Sequence, residues 1–498
     1  MPEPAAARSL PSERPSSAEG TRDGTVLQLD LGLPSPLPSL AVEPEWKAQQ
    51  RLWGHAFHPM CSYLASFPAA LAHAFIARYS RPGDVVLDPF SGRGTSPLQA
   101  TAEGRIGVGN DLNPFAHLLT AAKLEPASRA EARTRLTALR LAWGTDAGTW
   151  TALGREVVEA ARTAGRANAA EGPEGGQAVE PFAVPVPAPG SGHGPDAADE
   201  PIPLEVALAF HPRTLGQLLA VRSALRLDDR VDRFLAAALT GILHGKSASY
   251  LSEVMPNTFS MAPRYVRDFV ARTRFESPDR DVWDGLSLKL TRLYRHGLPS
   301  APGVALLGDA RDVAPRARAA LRARALPDRA RLVVTSPPYL RVVKYGYYNW
   351  LRAWLCGFDP RRIDETLDDA HHREPYLAFM SDVLGAMRPA LTDDAVVVLV
   401  IGDVETDRGR RIDHGIGLAE AVWAEAAEPA GYRLAGIALD DVHAGRKMTK
   451  LWGDEAGRAT KLDRILVLGA TEVGRRRALA GARLPVDWAW PQRGLRVL

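Results

Sequence analysis

One stretch of this chain constrains its fold more than any other. A short apolar run, Arg331-Leu332-Val333-Val334, stops at Thr335-Ser336-Pro337-Pro338-Tyr339. A run of that length reads as a buried strand. The two prolines end it, because proline has no N–H for a sheet ladder and fixes its own φ. A serine hydroxyl and a tyrosine ring are then held at the carboxyl end of a strand, which is where an open α/β sheet binds its ligands. A Pro-Pro turn after a core strand, with no chemical role, would look the same, so a second motif has to decide.

The residue types suit group transfer onto a planar exocyclic amine. Such a nitrogen is a poor nucleophile because its lone pair is delocalised into the ring. Acceptors for both N–H groups can draw it towards tetrahedral geometry. The Ser336 hydroxyl and the Pro337 carbonyl are candidate acceptors, and Tyr339 is a candidate stacking ring. No strong base is required, since the proton becomes acidic once the nitrogen is alkylated.

The second motif lies far upstream. Val85-Val86-Leu87-Asp88-Pro89-Phe90-Ser91-Gly92-Arg93-Gly94-Thr95 reads as a strand, a glycine turn and a helix over about 96–103 that Gly104 ends. The glycines let the backbone approach a ligand closely. Pro97 stands where a GxGxxG loop would have its third glycine, and no Gly-Lys-Ser/Thr follows, so this is neither a dinucleotide loop nor a Walker A loop. A second strand, 105–111, ends in Asp111, roughly 20 residues after the glycines, where an acid can bind ribose hydroxyls. The alternative for Asp111 is the N-cap of the helix starting at Asn113-Pro114; the glycine turn upstream favours ribose.

Around these motifs the chain alternates strands and helices at both ends. A helix is expected over Ala69–Tyr79, strands over 304–309, 396–401, 432–439 and 464–468, and helices from about 315, over 345–357, over 374–387 and over 416–429. Residues 1–43, rich in Pro, Ser, Ala and Glu, read as a disordered tail. The intervening 127–300 reads as an inserted, mainly helical region with a flexible segment at 166–203, and 476–498 as a C-terminal tail. The catalytic part would therefore be discontinuous, 44–126 and 301–475. The loop 255–265, with Lys246, Tyr250, Arg264, Arg267, Arg272 and Arg274 nearby, mixes aromatic, amide and basic groups that suit bases and phosphates. A solvated helix face is the alternative there. The loop Arg446–Lys450 could also touch phosphates.

Length and composition bound the class. At 498 residues the chain has room for two or three domains, and 46% apolar and 24% charged residues are ordinary for a globular protein. A net charge of +3 permits a nucleic-acid partner without requiring one. Two cysteines, Cys61 and Cys356, imply neither a disulfide framework nor a metal site and fit a reducing cytoplasm. No signal peptide or membrane span is expected.

Together, Asp88-Pro89-Phe90-Ser91-Gly92-Arg93-Gly94-Thr95 and Thr335-Ser336-Pro337-Pro338-Tyr339 make the chain resemble the S-adenosylmethionine-dependent amino-methyltransferases of DNA, over roughly 50–126 and 300–470. The resemblance implies an α/β, Rossmann-like, seven-stranded methyltransferase sheet with an antiparallel last strand. It implies S-adenosylmethionine as cofactor and double-stranded DNA with a flipped base as partner. By the same resemblance, Phe90, Gly92 and Gly94 shape the cofactor loop, with Asp88, Pro89 and Thr95 as neighbours. Asp111, followed by Leu112 and Asn113, holds the ribose; Asp309 takes the adenine amine with Ala310 beside it; Phe67-Pro68 touches the methionine end. Ser336, Pro337, Pro338 and Tyr339 would orient the base. Serine in the first position resembles the cytosine-N4 enzymes, although adenine-N6 enzymes use the same loop. Two other chemistries stay open, an RNA guanine-N2 methyltransferase and a non-catalytic DNA-binding scaffold. The cofactor motif precedes the catalytic motif, unlike many enzymes with this loop, and the insertion 127–300 is assigned to target recognition. No endonuclease triad is apparent, so any restriction or defence partner would be another chain.

Overall fold

Seven segments, each apolar enough to be buried as a strand, pair into one sheet: Val85–Asp88 (β1), Ile106–Asp111 (β2), Gly303–Leu307 (β3), Ala330–Thr335 (β4), Leu391–Gly402 (β5), Arg433–Asp440 (β6) and Asp463–Gly469 (β7). Their order in space is β3-β2-β1-β4-β5-β7-β6. All neighbours are parallel except β7, which runs antiparallel to both β5 and β6. This is a Rossmann-like, seven-stranded α/β sheet with one reversed strand. The computed structural model describes residues 37–50, 52–64, 66–170, 184–196, 199–255, 262–338, 344–367, 372–402, 417–440 and 463–489, with backbone alone for 165–170.

The helices follow in chain order. They are Ala69–Tyr79 (α1), Thr95–Ala102 (α2), Pro114–Leu124 (α3), Arg129–Thr145 (α4), Ala147–Ala170 (α5), Leu204–Ala209 (α6), Pro212–Ala224 (α7), Arg230–Thr240 (α8), Pro263–Thr273 (α9) and Val282–Leu293 (α10). After β3 come Val313–Arg322 (α11), Tyr345–Tyr348 (α12), Trp350–Leu355 (α13), Pro360–Thr366 (α14), Arg373–Met387 (α15), Leu418–Ala421 (α16) and Glu472–Ala482 (α17). Local chemistry sets several starts. Ser128 and Glu131 form a capping box on α4, and Asp229 caps α8.

One face of the sheet packs Val85, Leu87, Val333 and Val397 against α11 and α15; the other packs Val86, Leu332, Val334 and Val398 against α1 and α17. The alternation along each strand is what sends successive side chains to opposite cores. The helices of the 127–300 region form no separate body. Phe115 and Leu119 of α3, Leu218 of α7, Phe234 of α8, Trp283 of α10 and Trp350 of α13 share one apolar cluster. β3 begins at Gly303, close to where the alternation was expected to resume.

Four segments differ from expectation. Residues 37–43, expected in the tail, are packed chain. Leu40 N–H donates to the Ile437 carbonyl (2.8 Å), Ile437 N–H donates to the Pro38 carbonyl (2.9 Å), and Leu40 and Val42 are buried. The edge strand β6 offers unpaired backbone groups that this segment satisfies. At the other end, 476–489 is no tail. Tyr79 donates to the Ala478 carbonyl of α17 (3.1 Å), and the Trp488 ring lies 5.5 Å from Trp53 while its N–H donates to Glu45 (2.7 Å). Within 166–203, α5 continues to Ala170, and a short hairpin, Pro185–Val186 with Glu200–Pro201, buries Val186 and its neighbour Ile202. A few well-placed apolar residues suffice to dock such a segment, which composition averages hide. The single helix expected over 345–357 breaks at Asn349, whose side-chain amide donates back to the Tyr345 carbonyl (2.9 Å).

Candidate active site

The sheet order reverses between β1 and β4, so the loops leaving their carboxyl ends part to either side of a crevice. The loop after β1 is the glycine turn. Gly92 and Gly94 have φ of +50° and +78°, the left-handed region that side chains other than glycine rarely enter. Gly94 is also crowded, since a Cβ there would stand 2.8 Å from Thr120 Oγ1. α2 starts directly behind it, so its unpaired N–H groups open onto the turn. The turn is tied down from beneath by α3. Thr120 donates its hydroxyl to the Gly92 carbonyl (3.1 Å), and Lys123, fully buried, donates to the Arg93 carbonyl.

The turn is joined to β2 and β3. Ser91 N–H donates to the Asn110 carbonyl (2.8 Å), and Gly308 N–H to the Asp111 carbonyl (2.9 Å). The buried Asn110 amide donates to the carbonyls of Pro89 (3.1 Å) and Gly308 (2.8 Å). Asp111 does not cap α3; Asn113 does, accepting from Phe115 N–H at 2.9 Å. The Asp111 carboxylate instead accepts the N–H groups of Gly92 (2.7 Å) and Asn113 (2.9 Å). Burial pushes its pKa up to about 6, and those backbone donors, with Leu112 N–H, hold it from rising further.

Asp88 links the two motifs. It is buried at the end of β1 and accepts the Thr335 hydroxyl at 2.6 Å and Phe90 N–H at 3.1 Å. Desolvation pushes its carboxyl up to about 7 despite those donors, and the nearby Asp111 adds to the rise. Ser336 follows Thr335 at the mouth of the crevice, where its hydroxyl donates to the Val400 carbonyl on β5 (3.1 Å). Pro337 is buried and Pro338 half-buried. Tyr339, the loop 256–261 and the segment Arg446–Lys450 lie outside the described residues.

The remaining expected residues divide. Asp309 stands after β3, its carboxylate held below the usual range by Arg311, whose guanidinium donates to both oxygens (2.7–3.1 Å). Ala310 is buried beside it. Phe90 reaches across to Phe379 of α15, ring centroids 5.8 Å apart, and Arg311 lies over the other ring at 5.6 Å. Phe67 is buried in the core of α1 and Pro68 serves as that helix's exposed N-cap, so neither reaches the turn through a hydrogen bond. Tyr63 is the residue from that stretch that meets the turn. Its ring edge would be 3.7 Å from a Cβ on Gly92, its hydroxyl accepts from the Asn113 amide (3.0 Å), and its ring stacks on Tyr345 at 5.7 Å and 20°. Asn113 thereby both caps α3 and holds Tyr63.

Sequence reasoning missed Tyr63, Asn110, Thr120, Lys123 and Phe379. Asn110 and Lys123 carried a signal, as polar residues inside apolar runs. The others had none, because their roles come from elements that meet only in three dimensions.

The cradle fits S-adenosylmethionine. The buried Thr95 hydroxyl, first in α2, has no hydrogen-bond partner among the described residues, and the free N–H groups beside it suit a carboxylate. Asp111 and Asp309 supply acceptors for hydroxyl and amine groups.

Residues 39–122 match the family model for DNA methylase. A 71-residue stretch is 35% identical to the Type II methyltransferase M.MjaII of Methanocaldococcus jannaschii, covering 14% of this chain and 13% of that protein's length. Among solved structures, the rRNA methyltransferase aviRa of Streptomyces viridochromogenes aligns over 89% of this chain and 96% of its own, at 12% identity and a TM-score of 0.29, too distant to bear on function. The part of this chain that builds β1, the glycine turn, β2 and most of α3 is therefore similar in sequence to the DNA methylase family.

Proposed function

We propose that this chain methylates the exocyclic amine of a base flipped out of double-stranded DNA, with S-adenosylmethionine as methyl donor and cytosine N4 as acceptor. The observation that carries the reading is the Asp88–Thr335 hydrogen bond. It fastens the glycine-turn motif to the strand end that presents Ser336, so cofactor and base would meet at one crevice. The similarity of residues 39–122 to DNA methylase supports the substrate class.

Gly92, Gly94, Thr95, Asp111 and Asp309 would hold the cofactor, which supplies an electrophilic methyl group on its sulfonium. The chain's own part is to place the amine. Because the Ser336 hydroxyl gives its proton to Val400, its lone pairs stay free to accept an amine N–H. The Pro337 carbonyl is the second acceptor, and neither proline has an N–H to compete. With both N–H groups engaged, the nitrogen lone pair turns out of the ring plane towards the methyl. An N–C bond would form as the sulfonium's S–CH3 bond breaks, the sulfur leaving as a neutral thioether with its electron pair, and the amine proton would then leave to solvent without a strong base. Tyr339 would stack on the base. Serine at 336 is what supports cytosine N4 over adenine N6.

Nucleoside mass spectrometry on DNA from a methylation-free host expressing the full chain tests this. N4-methylcytosine is expected. N6-methyladenine would overturn the base assignment and keep the chemistry. Neither mark, from soluble protein that binds S-adenosylmethionine, would overturn the DNA reading.

A further inference from the structure

We propose that the polar face of α9, together with the exposed ring of Tyr347, grips the DNA strand on the side of the catalytic loop. The proposal rests on the DNA reading above and names residues that reading does not use.

α9 carries Arg264, Arg267 and Arg272 against one acid, Asp268, and Arg274 follows at its end. At 100° per residue, Arg264, Asp268 and Arg272 share the face opposite Val266 and Val270, and Arg267 stands at the border between the two faces. Val266 of this helix is buried and Arg267 half-buried, while Arg264, Asp268 and Arg272 stand in solvent. The Arg264 side chain is 75% exposed. Arg272 and Arg274 are exposed and form no ion pair among the described residues. Arg267 is braced by Glu205 at 3.1 Å, and Asp268 pairs with Arg264 at 3.4 Å. A surplus of guanidinium groups along one exposed face complements a row of phosphates.

The position of this face is what makes it specific. Tyr345 stacks on Tyr63, which lies against the glycine turn. Two residues later, Tyr347 is 39% exposed. The Gly346 and Tyr347 N–H groups both donate to the Asp364 carboxylate (2.7 and 2.9 Å), which fixes the turn carrying the ring. Partial burial pushes the Tyr347 phenol pKa up, and the charges of Arg267 and Arg264 act on it in the opposite sense, which brings both guanidiniums within electrostatic reach of this ring. A fixed aromatic ring beside two guanidiniums, a few residues past the base-orienting loop, offers a stacking platform and phosphate ligands together. The DNA methylase similarity of residues 39–122 favours DNA over RNA as the occupant.

The test uses the full chain, a duplex oligonucleotide carrying the methylated site, and the same sequence as RNA. Arg264→Ala with Arg272→Ala should weaken duplex binding at least tenfold and reduce the slope of log K against log salt by about 2, close to 0.9 per lost phosphate contact. Binding of S-adenosylmethionine should be unchanged. Tyr347→Ala should lower methylation at least tenfold, and Tyr347→Phe should restore it, because stacking needs the ring and not the hydroxyl. Unchanged duplex affinity and slope in the double variant, with a wild type that methylates DNA, would overturn the surface alone. A wild type that methylates the RNA and not the duplex would overturn the DNA reading and this surface with it.

Discussion

Thr335 on β4 donates its hydroxyl to Asp88 on β1 across 2.6 Å, inside the sheet and directly beneath the crevice. The two residues are the last of their strands, and each opens a loop of the site. Thr335→Val keeps the shape and removes the donor, leaving a buried carboxyl with one fewer partner. We expect a loss of about 1–3 kcal/mol in urea unfolding and a fall in turnover larger than the fall in cofactor affinity. A variant with unchanged turnover would separate this bond from catalysis.

Ser336→Ala removes the proposed amine acceptor and leaves the glycine turn untouched. Turnover should drop at least tenfold, while S-adenosylmethionine binding, read by calorimetry, stays near the wild-type value. Equal loss of both would contradict the role given to Ser336.

The two glycines of the turn should not tolerate alanine equally. Both have positive φ, which costs a side chain about 1–3 kcal/mol. Only at Gly94 does the added Cβ also meet Thr120, at 2.8 Å, whereas at Gly92 the nearest atom is 3.7 Å away. Gly94→Ala is expected to lower the unfolding temperature and the cofactor affinity more than Gly92→Ala. The reverse ranking would mean that ligand contact, not packing on α3, dictates the turn.

Lys123 is a buried lysine whose Nζ donates to the Arg93 carbonyl. Burial drives its pKa well below the usual lysine value. Lys123→Met removes a buried amine and orphans one carbonyl, two effects of opposite sign. The net change in stability should stay within about 1–2 kcal/mol. Cofactor binding, which depends on where that carbonyl sits, should weaken at least tenfold in the same preparation.

The carboxyls of the site make stability depend on pH. Asp88 rises from 3.8 to about 7 and Asp111 from 3.8 to about 6 on folding. Below about pH 4 both states carry these protons. Between about 4 and 7 the unfolded chain has released them and the folded chain has not, so stability falls as pH rises through that window and levels above it. Asp88→Asn should therefore gain on the wild type from pH 5 to pH 8 in unfolding temperature. An identical difference at both pH values would contradict the raised carboxyl.

The strands and the site motifs could be read from local rules. β1 and α1 fell on the residues their patterns indicated, because an apolar run closed by turn residues and an apolar stripe at helical spacing are written within a few residues of each other. The motif ends, Asp88 to Thr95 and Thr335 to Pro338, were legible because glycine and proline act on the backbone at their own positions.

What the sequence determined by itself, then, was the α/β alternation, the glycine turn and the proline-closed strand, each the product of short-range sterics and periodicity. The tertiary structure alone decided which distant residues complete the site. Tyr63 packed against the glycine turn, Asn110 stitched three loops, Thr120 and Lys123 clamped the turn from below, and Leu40, Val42 and Trp488 turned supposed tails into packed chain. Each depends on a contact between elements far apart in the chain. Burial and hydrogen-bond satisfaction, which act only once the sheet has formed, chose the partner.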